Sequence, residues 1–237
     1  MKIRNDFSRK STQTLASLAL IVAAWPSVVL AERNTEHEQA YRSALETVQQ
    51  APARIADAMT QVQSGTVAHY DFLQFEHIEL VRHARALAWP PGDLAAADKQ
   101  ALKQEAGALL DSANELEWVI SDFLRAMAQA RSASSNTLDI AAQQRENSGS
   151  SAAWQTLEVQ SLLFMSDAYQ GDWPALAAAY DTVLGGDLPE QTRRELSFQK
   201  EQLVRAIPQL QQQRDALAAS DVAAHADTLD KLYQASL

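Results

Sequence analysis

The stretch that decides the fold runs from residue 102 to residue 127 and reads LKQEAGALLDSANELEWVISDFLRAM. Its apolar and small residues recur at alternating intervals of four and three positions: Leu102, Ala106, Leu109, Ala113, Leu116, Ile120, Phe123 and Met127. Because an α-helix makes two turns in about seven residues, this spacing places all of them on one side of a helix. Such a seam is typical of a helix that packs in a bundle.

Two similar seams come before this stretch. The first covers residues 41–62 and follows a capping box that begins at Thr35, and the second covers residues 70–87. Pro52 lies within the first seam and predicts a kink or a break near Gln49, because proline lacks an amide hydrogen. Four later segments also read as helices: one around Trp154 to Tyr169, a short one opened by Asp172 and closed by Gly185, a long one from a cap at Asp187 through Leu217, and a last one from Ser220 to about Ser236. We therefore predict an all-α protein, an antiparallel bundle of about six to seven helices in one domain, residues 32–237.

Residues 132–152 are the part of the chain richest in Ser and Asn, with runs such as SASSN and NSGSS. Both residue types are enriched in turns and loops. We interpret this segment as a loop or as a junction between two subdomains.

Residues 1–31 have the three parts of a secretory signal peptide. A basic start is followed by an apolar run, Leu15 to Ala24, and by small residues before a cleavage site after Ala31. This segment carries four basic residues and one acidic residue, so the remainder carries 16 and 29, a net charge of −13 against −10 for the whole chain. We predict export to the periplasm, and no later stretch is long and apolar enough to span a membrane.

Composition excludes several classes of function. The sequence has no Cys, which excludes disulfides, thiolate metal sites and cysteine nucleophiles. Its negative charge argues against nucleic acid as a partner, because few cations are left to contact phosphates. No nucleophile elbow, phosphate loop or paired metal-ligand motif of an enzyme is present. We therefore expect a protein that is not an enzyme.

Residues that could bind a ligand concentrate in the second predicted helix. His77 lies in its seam, Glu76 lies beside it, and Glu79 and His83 form a pair four residues apart whose side chains can converge. Histidine and carboxylate are ligands of divalent transition metals. We predict a metal site at His77, His83, Glu76 and Glu79, completed by donors from other helices, for which the candidates are Met59, Met127, Met165, Glu115 and Asp122. We do not expect a non-covalent haem.

The same helix is apolar on nearly all sides, since Phe72, Phe75 and Ile78 lie away from its seam. A helix of this kind is usually buried on more than one face. We expect it to be central, with helices of the second half covering its outer face. In that case Glu76 and His77 belong to an enclosed polar network whether or not they bind a metal.

These observations favour an exported accessory or binding protein, and its metal site is one hypothesis for what it binds. The alternative is an interaction scaffold or chaperone-like protein whose histidines are structural. In that alternative the partner is a protein bound by the acidic surface or by the Gln-rich helix face at Gln209, Gln211, Gln212 and Gln213.

Overall fold

The structure, a computed structural model, describes residues 7–64, 71–148, 151–167 and 169–237, with side chains from residue 35 onward except at 147 and 148. These residues form helices only, with no strand among them. The helices are α1 (Phe7–Ser64), α2 (Asp71–Leu87), α3 (Ala96–Ser148), α4 (Ala152–Ser166), α5 (Trp173–Leu184), α6 (Glu190–Ala218) and α7 (Val222–Ser236). The predicted all-α class is confirmed.

The helices pack in two rings of neighbours that share α3. In one ring α1 packs against α2, α2 against α3, α3 against α7, and α7 against α1. In the other ring α3 packs against α4, α4 against α5, α5 against α6, and α6 against α3. The long α3 therefore connects both halves of the molecule.

The seam of α3 is buried as its spacing predicts. Every seam residue from Leu102 to Met127 is at most 3% exposed. Two polar contacts between α3 and α6 show how the two helices are oriented: Gln129 bonds to Gln202, and Gln144 bonds to Thr192. Because the partner number falls as the α3 number rises, α3 and α6 are antiparallel.

Sequence signals placed both ends of α5 correctly, but the cap predicted at Asp187 is wrong, because Pro189 is the N-cap of α6 and no side chain caps that helix. Asp172 caps α5 through its side chain, which accepts a hydrogen bond from the Ala175 amide at 3.0 Å. Proline follows in the first turn, and Gly185 forms the C-cap. Proline at the start and glycine at the end of a helix are the expected asymmetry.

The loop predicted in the Ser/Asn-rich segment is wrong for residues 132–148, which continue α3 as helix. Ser134 and Thr137 are buried there, and the Thr137 hydroxyl donates to the Ala133 carbonyl at 2.8 Å. Packing against neighbouring helices thus overrides the weak loop preference of these residues. A subdomain junction in this segment stays a prediction.

Two predictions about α1 are also wrong. The helix does not begin at the capping box, because α1 extends from Phe7 through Thr35. It does not break near Gln49, because it continues through Pro52. The predicted signal peptide falls partly on residues 1–6, which lie outside the described residues, and partly on the first half of α1. Its cleavage stays a prediction.

The expected central position of α2 is wrong. This helix packs against α1 and α3, and its outer face is left to solvent, with Phe72, Phe75 and Ile78 at 41%, 54% and 59% exposure. The neighbours of α2 are α1 and α3, and no third helix covers the side of α2 that faces away from them among the described residues. Periodicity shows that a face is apolar but cannot show whether another element covers it.

Candidate functional site

Glu76 is held by a cation from the neighbouring helix. Its carboxylate is 8% exposed and accepts a hydrogen bond from Arg54 Nε of α1 at 2.8 Å. The same guanidinium donates to the Thr47 carbonyl at 3.2 Å. Glu76 is therefore neutralised by Arg54 and ties α1 to α2.

His77 points toward α3. Its Nε2 lies 2.9 Å from the carbonyl oxygen of Ala113. A carbonyl can only accept, so Nε2 carries the hydrogen. The ring lines a groove of about 310 Å³ between α2 and α3, together with Gln74, Glu117 and Ser121.

Glu79 and His83 lie together on another part of α2. Glu79 Oε2 is 3.5 Å from His83 Nε2, and Arg82 contacts both side chains. Burial is the main cause that lowers the pKa of His83, and the adjacent Arg82 adds to it. His83 is therefore neutral at pH 7, with Nε2 accepting from the Arg82 guanidinium at 3.0 Å.

The four predicted metal ligands thus occupy three separate environments. Glu76 faces Arg54, His77 faces Ala113, and only Glu79 and His83 approach each other. In the described ranges, no three His, Cys, Asp or Glu residues come together in a group that could hold a metal ion.

The additional donors predicted from other helices do not complete a site at His77. Met59 and Met127 are buried in the apolar core, and Met165 is partly buried against it. Asp122 pairs with Arg125 at 2.9 Å, and Glu115 is exposed. The carboxylate of α3 that lines the His77 groove is Glu117. Sequence could not single it out, because the register between α2 and α3 depends on how the two seams interlock.

Three exposed apolar side chains lie on the two helices that form this groove. Ile78 forms part of the groove itself, Phe75 lies three residues before it on α2, and Trp118 lies beside Glu117 on α3 with 72% exposure. We call this surface the α2–α3 face: Phe75, Ile78 and Trp118 around the groove lined by Gln74, His77, Glu117 and Ser121.

His225 of α7 contacts a carboxylate of α3. Its Nδ1 lies 2.6 Å from Glu105 Oε1, and both side chains are about three-quarters buried. The contact joins α7 to α3. No sequence pattern suggested it, because the two residues are 120 positions apart.

Comparisons with known proteins give no family assignment: no family model, no curated protein and no solved structure matches this chain. A search of the described helices for a membrane span found none with the required length and apolar character. The candidate site must therefore be judged on its own chemistry.

Proposed function

We propose that this protein is an exported, non-enzymatic accessory protein of the periplasm, an antiparallel helical bundle that binds a partner protein at the α2–α3 face. The supporting observation is the exposure of Phe75, Ile78 and Trp118 around one polar groove. Single exposed apolar residues are ordinary, but three on the two helices that form one polar groove favour an interaction site.

The charges near this face indicate the chemistry of the partner. Asp71, Glu115 and Glu117 are exposed, and within the described part of the chain none of them has an ion pair. A partner with basic groups would complement these carboxylates and would be attracted to the acidic chain. The partner we propose is a basic amphipathic helix that places apolar residues against Phe75, Ile78 and Trp118.

A second copy of the chain is a poorer match to the same face. Self-association through this surface would bring the unpaired carboxylates of both copies together, and like charges at close range repel.

A defined pair of peptides tests the proposal. The first is a short helical peptide of Leu and Lys with Leu on one face, and the second has Glu in place of every Lys. Binding to the full chain is measured by fluorescence anisotropy of the labelled peptide. We expect the Lys peptide to bind, the Glu peptide not to bind, and the affinity of the Lys peptide to fall as salt rises.

Matched variants locate the binding surface. Phe75→Ser with Ile78→Ser should weaken the Lys peptide by at least about tenfold, because both side chains would lose buried apolar contact. The control is Val159→Ser with Leu163→Ser on α4, two apolar residues of 52% and 55% exposure outside the α2–α3 face. Equal losses in both double variants, or a chain dimer that the α2 variant dissociates, would contradict the proposal.

The metal hypothesis remains a second proposal with narrower support. It rests on the neutral His83 and the neighbouring Glu79, which supply two of the three or four protein ligands that a zinc site needs. A metal there would also have to displace Arg82 from both side chains. The interaction function is therefore preferred.

A further inference from the structure

A second cavity lies away from the α2–α3 face, where the middle of α1 meets the end of α6 and the turn into α7. It has a volume of about 330 Å³. Its apolar lining includes Pro52 and Met59 from α1 and Leu217 from α6. Met59 and Leu217 are almost completely buried, so they form its floor. A mostly apolar cavity with a few polar groups is the usual form of a small-molecule site, and this volume is at the small end of that range.

The cavity has one cationic and one anionic side chain. Arg214 and Asp215 both line it, and no other charged residue does. Within the described residues Arg214 has neither a hydrogen bond nor an ion pair. Asp215 accepts one hydrogen bond through Oδ1, from the Gln211 amide at 2.8 Å, which leaves its second oxygen available.

The unused guanidinium is notable because other half-buried arginines of the chain have partners. Arg54 binds Glu76 and the Thr47 carbonyl, and Arg193 binds the carbonyls at the end of α5. A guanidinium presents a planar set of donors that matches a carboxylate in a bidentate geometry. Arg214 is therefore a ready carboxylate-binding group at the edge of an apolar cavity.

We propose that this cavity binds a free α-amino acid with an apolar side chain. The ligand carboxylate bonds to Arg214, its ammonium group bonds to the free oxygen of Asp215, and its side chain lies against Met59 and Leu217. A plain carboxylate is a poorer match, because Asp215 would repel it, and a plain amine is a poorer match, because Arg214 would repel it. Only a zwitterion satisfies both charges.

Three related compounds test this assignment on the full chain by isothermal titration calorimetry: L-leucine, N-acetyl-L-leucine, which lacks the ammonium charge, and L-leucinamide, which lacks the carboxylate. We expect leucine to bind at least about tenfold more tightly than either analogue, since each analogue loses one charge-assisted hydrogen bond. Absence of leucine binding, or equal binding of N-acetyl-L-leucine, would overturn the proposal.

Single substitutions assign the two charges. Arg214→Gln should weaken leucine by at least about tenfold, whereas Arg205→Gln, at an exposed arginine of the same helix that pairs with Glu201, should leave binding unchanged. Asp215→Asn should weaken the binding of leucine but not the binding of N-acetyl-L-leucine. Circular dichroism confirms that each variant is folded, so loss of binding reports on the site. Unchanged leucine binding in Arg214→Gln is the contrary result.

Discussion

Arg54 Nε of α1 lies 2.8 Å from Glu76 Oε2, and this ion pair connects α1 to α2, the helix that carries the predicted metal ligands. Glu76 is nearly buried, whereas a third of the Arg54 side chain remains exposed. The carboxylate therefore depends on Arg54 more than Arg54 depends on the carboxylate. This asymmetry makes Glu76 a structural residue in the first instance.

Removing Arg54 should destabilise the protein measurably. Arg54→Met leaves a nearly buried carboxylate without its cation, and we expect a loss of about 1–3 kcal/mol in the free energy of unfolding, measured in urea. The double variant Arg54→Met with Glu76→Leu should recover most of this loss. The control is Arg194→Met, whose exposed pair with Glu190 contributes within about 0.5 kcal/mol. An equal cost for Arg54→Met and Arg194→Met would contradict this account.

Thr137 and Tyr180 form a buried pair whose direction can be deduced. Their hydroxyl oxygens are 2.5 Å apart, and Thr137 already donates its only hydrogen to the Ala133 carbonyl. Tyr180 must therefore donate to Thr137. Thr137→Val leaves the buried Tyr180 hydroxyl without an acceptor and should lower the free energy of unfolding by about 1–3 kcal/mol. Tyr180→Phe removes that donor, while the Thr137 hydroxyl keeps its bond to the Ala133 carbonyl, and should cost about 1 kcal/mol. Urea unfolding measures both, and the reverse order would refute the assignment.

Stability should fall in alkaline solution. Burial raises the pKa of Tyr180 to about 12. A tyrosine in the unfolded chain ionises near pH 10. The free energy of unfolding is therefore unaffected by Tyr180 ionisation below about pH 10 and decreases as the pH rises toward 12. Burial, together with the nearby Tyr233, also raises the pKa of Tyr41.

The decline can be assigned by comparing slopes. Tyr180→Phe should flatten the dependence of unfolding free energy on pH between about 10 and 12, by up to about 1 kcal/mol per pH unit, relative to the parent chain. Its lower absolute stability does not affect the slope. Parallel curves for the two proteins would show that Tyr180 ionises as it does in the unfolded chain.

His83 should titrate below the usual range of histidine. Burial is the larger cause and Arg82 the next, so Arg82→Gln should raise the pKa of His83 as followed by NMR of the ring protons. Arg85→Gln, on the exposed side of the same helix, is the matched control. Because the pKa of His83 is lower in the folded state, the unfolded state binds the proton at a higher pH. The free energy of unfolding therefore falls as the pH drops below about 6.5 and levels off below the pKa of the folded state. An unshifted His83 resonance in Arg82→Gln would rule out this effect of Arg82.

Zinc titration separates the residues of the predicted metal site. Any zinc affinity measured by calorimetry should be lost in His83→Ala and kept in His77→Ala, because Glu79 and His83 lie together while His77 is bonded to the Ala113 carbonyl. Loss of zinc binding in His77→Ala would instead indicate a site built across the α2–α3 groove with Glu117.

Much of the helical structure could be predicted because its signals are local. The seam from Leu102 to Met127 is buried as its spacing indicates, and the cap at Asp172 and the end at Gly185 are where the sequence places them. The failures also have a common cause. Ser134, Thr137 and Pro52 lie in continuous helix because packing against neighbouring helices stabilises a conformation that these residues do not favour by themselves.

The candidate site was predicted less well than the fold. Sequence correctly brought Glu79 and His83 together, since four residues make about one helical turn. It could not show that Glu76 and His77, which are adjacent in the chain, have partners on different helices. Glu76 faces Arg54 of α1, and His77 faces Ala113 of α3. It also missed Glu117, Arg214 and Asp215, whose positions have meaning only beside residues distant in the chain.

The sequence by itself determined that this protein is helical, acidic and without cysteine, and which residues within one helix lie on the same side. Those properties follow from composition and from the fixed period of the α-helix. Only the tertiary structure decided that the outer face of α2 is open to solvent, that Arg54 neutralises Glu76, and that Arg214 lacks an ion-pair partner among the described residues. These outcomes depend on which helices become neighbours and in what register, and no local period specifies that arrangement.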